Sequence, residues 1–245
     1  RSKVAGISFG GQMHGLVALD ETDAVIRPAI LWNDSRTEEE CNYLNEVIGK
    51  KTLSKYTANI SFTGFTAPKV LWMKNKEPEN FARMKIFCCP KDYIRFRLTG
   101  RVLTDVSEAS GTGFFDTKNR VWADGLIALA GLDKAIFPKA VESTALAGCV
   151  TAEAAAETGL PEGLNVYAGG DAVIQTTGTG LVEPGVLGVV IGTSGNVSMG
   201  MSGFHANPEG NLQMFCNNEP GLWHAFGCTL TAGGAFSWFV KTLAG

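Results

Sequence analysis

Short apolar runs that break off in paired glycines constrain this chain more than any other feature. Residues 3–9 run into Gly10-Gly11, and residues 165–168 run into Gly169-Gly170-Asp171. Runs of this kind read as buried strands entering tight loops, where backbone turns sharply or lies against something bound. Helix signals fall between them. Thr37 followed by Glu40 fits a capping box for a stripe through Cys41, Leu44 and Ile48 that ends at Gly49. Pro78 separates helices predicted at 69–74 and 79–84. Pro90 opens and Gly100 closes another, and Thr151 and Gly159 bracket an alanine-rich one. Further strands are expected at 16–19, 25–30 and 86–89, further helices at 122–130 and 231–243, the latter entered through 222–226. A hairpin is expected over 186–201, around Gly192-Thr193-Ser194-Gly195. Strands alternating with helices give an α/β fold, and a change of local style at 182–184 marks a junction between domains 1–183 and 184–245.

Composition removes several classes of function. A net charge of −3, with the densest basic group only Arg95, Arg97 and Arg101, gives nucleic acid no clustered basic face. No apolar run approaches the roughly 18 residues of a membrane span, and the N-terminus does not read as a signal peptide. Six cysteines without a C-x-x-C pair make neither a disulfide framework nor a metal site. Adjacent Cys88 and Cys89 in an apolar run read as buried free thiols in a reducing, cytoplasmic setting.

Three segments carry chemistry. Asp171, directly after a strand and two glycines, stands where open α/β sheets hold their ligands; ionised, it can take a proton from a substrate hydroxyl. It would serve equally as a helix N-cap. Gly192-Thr193-Ser194-Gly195 can form an anion-binding concavity of backbone N–H groups with two hydroxyls, or a plain hairpin turn; it is not a Walker A loop. Gln12, Met13 and His14, after Gly10-Gly11, present an amide and an imidazole suited to a polyhydroxylated ligand, and Trp32-Asn33-Asp34-Ser35-Arg36 adds an aromatic with polar neighbours.

Taken in order, G-Q-M-H-G at 11–15, P-A-I-L-W-N-D-S-R at 28–36, G-F-T-A-P-K-V-L-W at 64–72, P-K-D-Y at 90–93, G-G-D at 169–171 and I-G-T-S-G at 191–195 resemble the FGGY carbohydrate kinase family. The resemblance runs from Val4 to the final helix, and Q-M-H, W-N-D-S-R and F-T-A-P-K are similar to its xylulose-phosphorylating branch. It implies an actin-like, ribonuclease-H-like ATPase fold, with most of the first, sugar-binding domain and the start of the second, nucleotide-binding one. It implies ATP-dependent phosphorylation of a ketopentose, D-xylulose to D-xylulose 5-phosphate, with Mg2+ and ATP. Asp171 is then the catalytic base. Gln12, Met13, His14, Trp32 and Asp34 bind sugar, and Gly192, Thr193, Ser194, Gly195 and Gly233 bind nucleotide phosphate. The partners expected are sugar and MgATP, with neither nucleic acid nor membrane, and a homodimer is compatible with the sequence.

The resemblance also places a phosphate loop with an acidic metal-site residue before Arg1 and an adenosine motif beyond Gly245. These residues are therefore expected to be about half a kinase, with little or no phosphotransferase activity alone. Ala172 stands where the xylulose branch often has a polar residue, as in G-G-D-N, which leaves gluconate, ribulose and fuculose open as substrates. A catalytically dead sugar-binding module and an actin-like ATPase without a sugar substrate are the other readings; Gln12-Met13-His14 argues against the second.

Overall fold

The structure is a computed structural model, and it describes residues 4–170, 173–229 and 231–244. In chain order it begins with β1 (Gly6–Ile7) and β2 (Val17–Leu19). The stretch 25–30, expected as a strand, makes only isolated bridges from Val25 to Leu19 and from Ile30 to Leu16. Helix α1 (Glu38–Asn42) passes through a π-helical segment, Tyr43–Gly49, into α2 (Lys50–Thr57). The break at Gly49 is real, with φ of 97°, but helix resumes at once. The capping box does not form: the Thr37 hydroxyl donates to the Thr63 carbonyl instead of accepting from the first turn.

Helices α3 (Thr66–Lys76) and α4 (Pro78–Arg83) follow, then β3 (Ile86–Cys88), which pairs antiparallel with β2. Helix α5 (Pro90–Thr99) starts on proline and stops at Gly100 in the left-handed region, as its local chemistry requires. Next come β4 (Leu103–Asp105), α6 (Val106–Ser110) and the short hairpin of β5 (Phe115–Asp116) with β6 (Val121–Trp122). Trp122 was expected in a helix; it is a strand residue because its indole N–H donates to Pro138 and its rings pack edge-on to Phe115 and Phe137. Helix α7 (Asp124–Leu129) starts only after it. Strand β7 (Lys139–Val141) runs parallel to β4, and β8 (Leu146–Cys149) leads to α8 (Ala152–Thr158), capped by the Thr151 hydroxyl.

Strand β9 (Asn165–Tyr167) lies between β1, which is parallel to it, and antiparallel β8. Leu98, Val150, Ala154 and Val166 seal this sheet against α5 and α8. A larger core of Leu44, Leu53, Val70, Phe87, Phe114 and Leu126 holds the helical layer together. After α9 (Ile174–Gly178) come β10 (Leu187–Ile191), β11 (Gly195–Met201), β12 (Gln213–Cys216) and β13 (Trp223–Thr229). They form one antiparallel sheet of order β10-β11-β13-β12, so the segment expected to lead into the last helix is itself a strand. Helix α10 (Gly233–Phe239) continues into π-helical turns and presents Phe236, Trp238 and Leu243 to solvent.

Candidate active-site cleft

The loop after β1 is held in an unusual shape. His14 has φ of 68°, left-handed for a residue with a β-carbon. Three contacts hold it there. Its ring stacks on Phe65 with centroids 4.5 Å apart, its Nδ1 lies 2.7 Å from the Gly111 carbonyl, and its own carbonyl accepts a 2.7 Å bond from Lys69 Nζ. Lys69, fully buried, also donates to the Gly64 carbonyl. A β-carbon at Gly111 would lie 2.4 Å from Met13 Cε and 2.9 Å from His14 Cε1, so a larger residue there would have to displace the side chains of this loop.

Burial pushes the His14 pKa down to about 4, opposed by the Gly111 carbonyl and helped by the Lys69 charge. The imidazole is therefore neutral near pH 7. A carbonyl can only accept, so Nδ1 carries the proton and Nε2 keeps a lone pair for a ligand O–H. Burial likewise lowers Lys69 to about 8, against the pull of Cys89 and Asp34.

This loop forms one wall of a cleft of about 620 Å³, with Gln12, Met13, His14 and half-exposed Trp32 on one side. Ser194, Asn196, Ser198, His224 and Phe226 line the other, from β11, β13 and the hairpin turn. Asp34 does not line it. Both its oxygens engage Arg36, at 2.9 Å to Nε and 2.7 Å to Nη2, and Arg36 holds its carboxyl below the usual carboxylate range.

The hairpin and the last helix interlock. The N–H groups of Ala232, Gly233 and Gly234 donate to the carbonyls of Thr193, Gly192 and Thr193, at 2.7, 3.0 and 3.2 Å. A β-carbon on Gly233 would sit 2.6 Å from the Gly192 oxygen, and one on Gly195 would sit 2.9 Å from Ala232 Cβ. Gly192, Thr193, Gly195 and Gly233 thus shape the turn, while Ser194 is the member that reaches the cleft. The Gly233 amide is already taken by the Gly192 carbonyl and is not free to donate to a ligand. Among the described residues no group of three or more His, Cys, Asp and Glu side chains is placed to hold a metal ion.

Behind β9 lies a buried ionic cluster. Lys91 Nζ is 2.7 Å from both Asp92 Oδ1 and Asp105 Oδ1 and 4.0 Å from Glu108 Oε2. Burial works against its charge, but the three carboxyls hold it above the ordinary lysine range. Arg95 pairs with Asp92 at 2.9 Å and donates to the Ala168 carbonyl at 2.7 Å, fixing the strand's end. Gly169 has φ of 68°, and a β-carbon on Gly170 would lie 2.2 Å from Ser107 Oγ and 2.5 Å from Asn218 Oδ1. Asp171 and Ala172, which the glycines lead into, lie outside the described residues.

Several lining residues escaped the sequence reading. His224, Phe226 and Cys228 alternate on one face of β13, a period-two pattern that identifies a strand. Phe215 on β12 and Phe65 close the ring wall around His14. Lys69 acts from across the fold, and no local pattern signals that.

An α/β layer facing an antiparallel sheet across a cleft, with a glycine hairpin at its mouth, is the arrangement of the actin-like ATPase class; the solved structures it resembles carry that fold. The chain belongs to the FGGY family of carbohydrate kinases, whose N-terminal domain model matches residues 1–178. It is 39% identical over 241 residues to a xylulose kinase of Lactococcus lactis, covering 98% of this chain and 48% of that protein. It superposes on a xyloylose kinase from Brucella ovis with a TM-score of 0.90 at 39% identity, and on xylulose kinase from Rhodospirillum rubrum with 0.92 at 33%. Each covers 98% of this chain and 49% of the solved one. The chain spans about half the length of the curated relatives it matches. No helix among the described residues is long and apolar enough to cross a membrane.

Proposed function

We propose that this chain is part of an ATP-dependent sugar kinase that phosphorylates a ketopentose, D-xylulose, to its 5-phosphate. The observation that carries the reading is the cleft itself. It sets Gln12, Met13, His14 and Trp32 opposite Ser194 of the glycine hairpin, the sugar-type and phosphate-type groups facing one another. Domains 1–183 and 184–245 would form its two sides. His14, neutral with a free Nε2 lone pair, accepts a hydrogen bond from a sugar hydroxyl, and Trp32 covers the sugar's apolar face. Asp171, presented by Gly169-Gly170, takes the proton of the primary hydroxyl. That oxygen attacks the γ-phosphorus, the bond to the β–γ bridging oxygen breaks, and ADP leaves. The Gly192–Gly195 turn, packed against the start of α10, would lie on the phosphate side, with the Ser194 hydroxyl toward the ligand. Mg2+ would come bound to ATP and would supply neutralisation of phosphate charge. The free thiols of all six cysteines suit a reducing cytoplasm.

A coupled assay on the full-length protein that contains this chain tests the proposal, with D-xylulose, ribulose, gluconate and glycerol as acceptors. Selectivity for xylulose, lost by more than about a thousandfold in Asp171→Ala, is expected. Full activity in that variant removes Asp171 as the base, and turnover of another acceptor alone removes xylulose.

A further inference from the structure

His224 is the second residue of β13, cross-strand from Gly200 on β11 and Phe215 on β12. Paired residues share a face of the sheet. Gly200 contributes no side chain, and the backbone of Val182 and Glu183 closes over its position. Phe226, two residues on, points the same way, and both line the cleft. Only 2% of His224 is exposed, and its Nδ1 is buried without a hydrogen-bond partner. No ring hydrogen bond to His224 occurs among the described residues.

A buried imidazole whose Nδ1 has no partner demands a reason, because a phenylalanine would fill the same space without stripping that nitrogen of water. Burial alone depresses its pKa, to about 4, so the ring is neutral and carries one donor and one acceptor. That pair suits a hydroxyl, which also donates once and accepts. It does not suit a phosphate, which calls for donors only. Rings connect it to His14: His14 to Phe215 at 6.0 Å, Phe215 to Phe226 at 5.4 Å, and Phe226 to His224 at 5.8 Å. The two histidines thus belong to one connected set of rings, and both line the cleft.

We propose that His224 is a second sugar-reading imidazole, which hydrogen-bonds a hydroxyl of the polyol substrate in the cleft it shares with His14 and helps decide which sugar is accepted. This rests on the reading of the cleft as a sugar site. Phe226, the phenylalanine of this set that lines the cleft, gives the sugar's C–H faces an apolar surface while the two imidazoles take hydroxyls. A ligand hydroxyl that meets the ring from the cleft supplies a partner that the fold withholds.

The test uses the full-length protein and its His224→Phe variant, which keeps ring volume. Ketopentoses lacking one hydroxyl at a time are compared with the parent sugar. The variant is expected to raise sugar KM about tenfold or more while leaving ATP KM within about twofold. One deoxy sugar, penalised in the wild type, should lose its penalty in the variant. Unchanged sugar KM and unchanged discrimination overturn the inference, as does an equal loss toward sugar and ATP with a lowered melting temperature. Should the variant fail to fold, wild type labelled with nitrogen-15 in histidine decides: the His224 ring resonances must shift on adding sugar without nucleotide, and still resonances overturn it. A wild type that phosphorylates no ketose defeats the kinase reading instead, and the two failures are told apart by that control.

Discussion

Lys69 Nζ donates a 2.7 Å hydrogen bond to the carbonyl oxygen of His14, 55 residues earlier in the chain. The bond ties α3 to the loop that carries the proposed sugar contacts. Replacing Lys69 by Met orphans the His14 and Gly64 carbonyls, at about 1–3 kcal/mol each. It also removes a buried ammonium whose depressed pKa, about 8 against 10.5, corresponds to roughly 3 kcal/mol. The two effects nearly cancel, so Lys69→Met should change unfolding free energy by no more than about 1–2 kcal/mol. The loop, no longer held, should raise sugar KM with little change in ATP KM. A large stability loss in a urea melt would show that the charge is better compensated than this.

Lys91 is equally buried but faces carboxylates where Lys69 faces carbonyls, and their pKa values move in opposite directions. In Lys91→Met, Arg95 still pairs with Asp92, but Asp105 keeps only the Ser143 hydroxyl at 2.6 Å and backbone N–H groups. An uncompensated buried charge costs about 3–5 kcal/mol. Chemical denaturation should reveal a loss of that size, and adding Asp105→Asn should recover part of it. Additive losses would mean that the two side chains are not coupled.

His224 sets a stability slope with pH. Its folded pKa, about 4, lies below the ordinary 6.5. Between those values the unfolded chain binds a proton that the folded one refuses, so stability rises with pH through this window. The contribution is complete above about 6.5 and is lost as pH falls toward about 4, amounting to roughly 3 kcal/mol over the interval. His14 adds a slope of the same sign. Melts of wild type and His224→Phe across this range should differ by about one proton taken up on unfolding; parallel curves would place the His224 pKa near its ordinary value.

What could be read in the sequence was what local chemistry decides. Pro90 and Gly100 bound α5, Thr151 and Gly159 bound α8, and the Gly192–Gly195 turn joins β10 to β11 as expected. Errors arose where a distant partner decides. Trp122 lies in a strand because of Pro138, Phe115 and Phe137, and Thr37 abandons its capping box for the Thr63 carbonyl. The site divides the same way. Gln12-Met13-His14 stood out as a motif after a strand and two glycines, and the structure places those residues and Trp32 on the cleft. Phe65 and Lys69 fell within the F-T-A-P-K motif, but their contacts with His14 and Phe215 could not be read, because each joins segments far apart in the chain.

The hairpin and α10 touch so closely at Gly233 that a single methyl separates two kinds of effect. In Gly233→Ala the new carbon would fall 2.6 Å from the Gly192 oxygen, closer than any real β-carbon approaches backbone. Either the helix start or the turn must shift, and the turn carries Thr193 and Ser194. Gly178→Ala makes the same chemical change in α9, where the added carbon meets nothing within 4 Å. That control should be neutral or stabilising by up to about 1 kcal/mol, since alanine favours helix over glycine. If the turn cradles phosphate, Gly233→Ala in the full-length protein should raise ATP KM about tenfold or more and leave sugar KM near wild type. An ATP KM equal to that of Gly178→Ala would mean that the turn yields without consequence and that nucleotide phosphate is held elsewhere. A rise in sugar KM alone would instead place the hairpin on the sugar side of the cleft, with Ser194 as the group that reaches it.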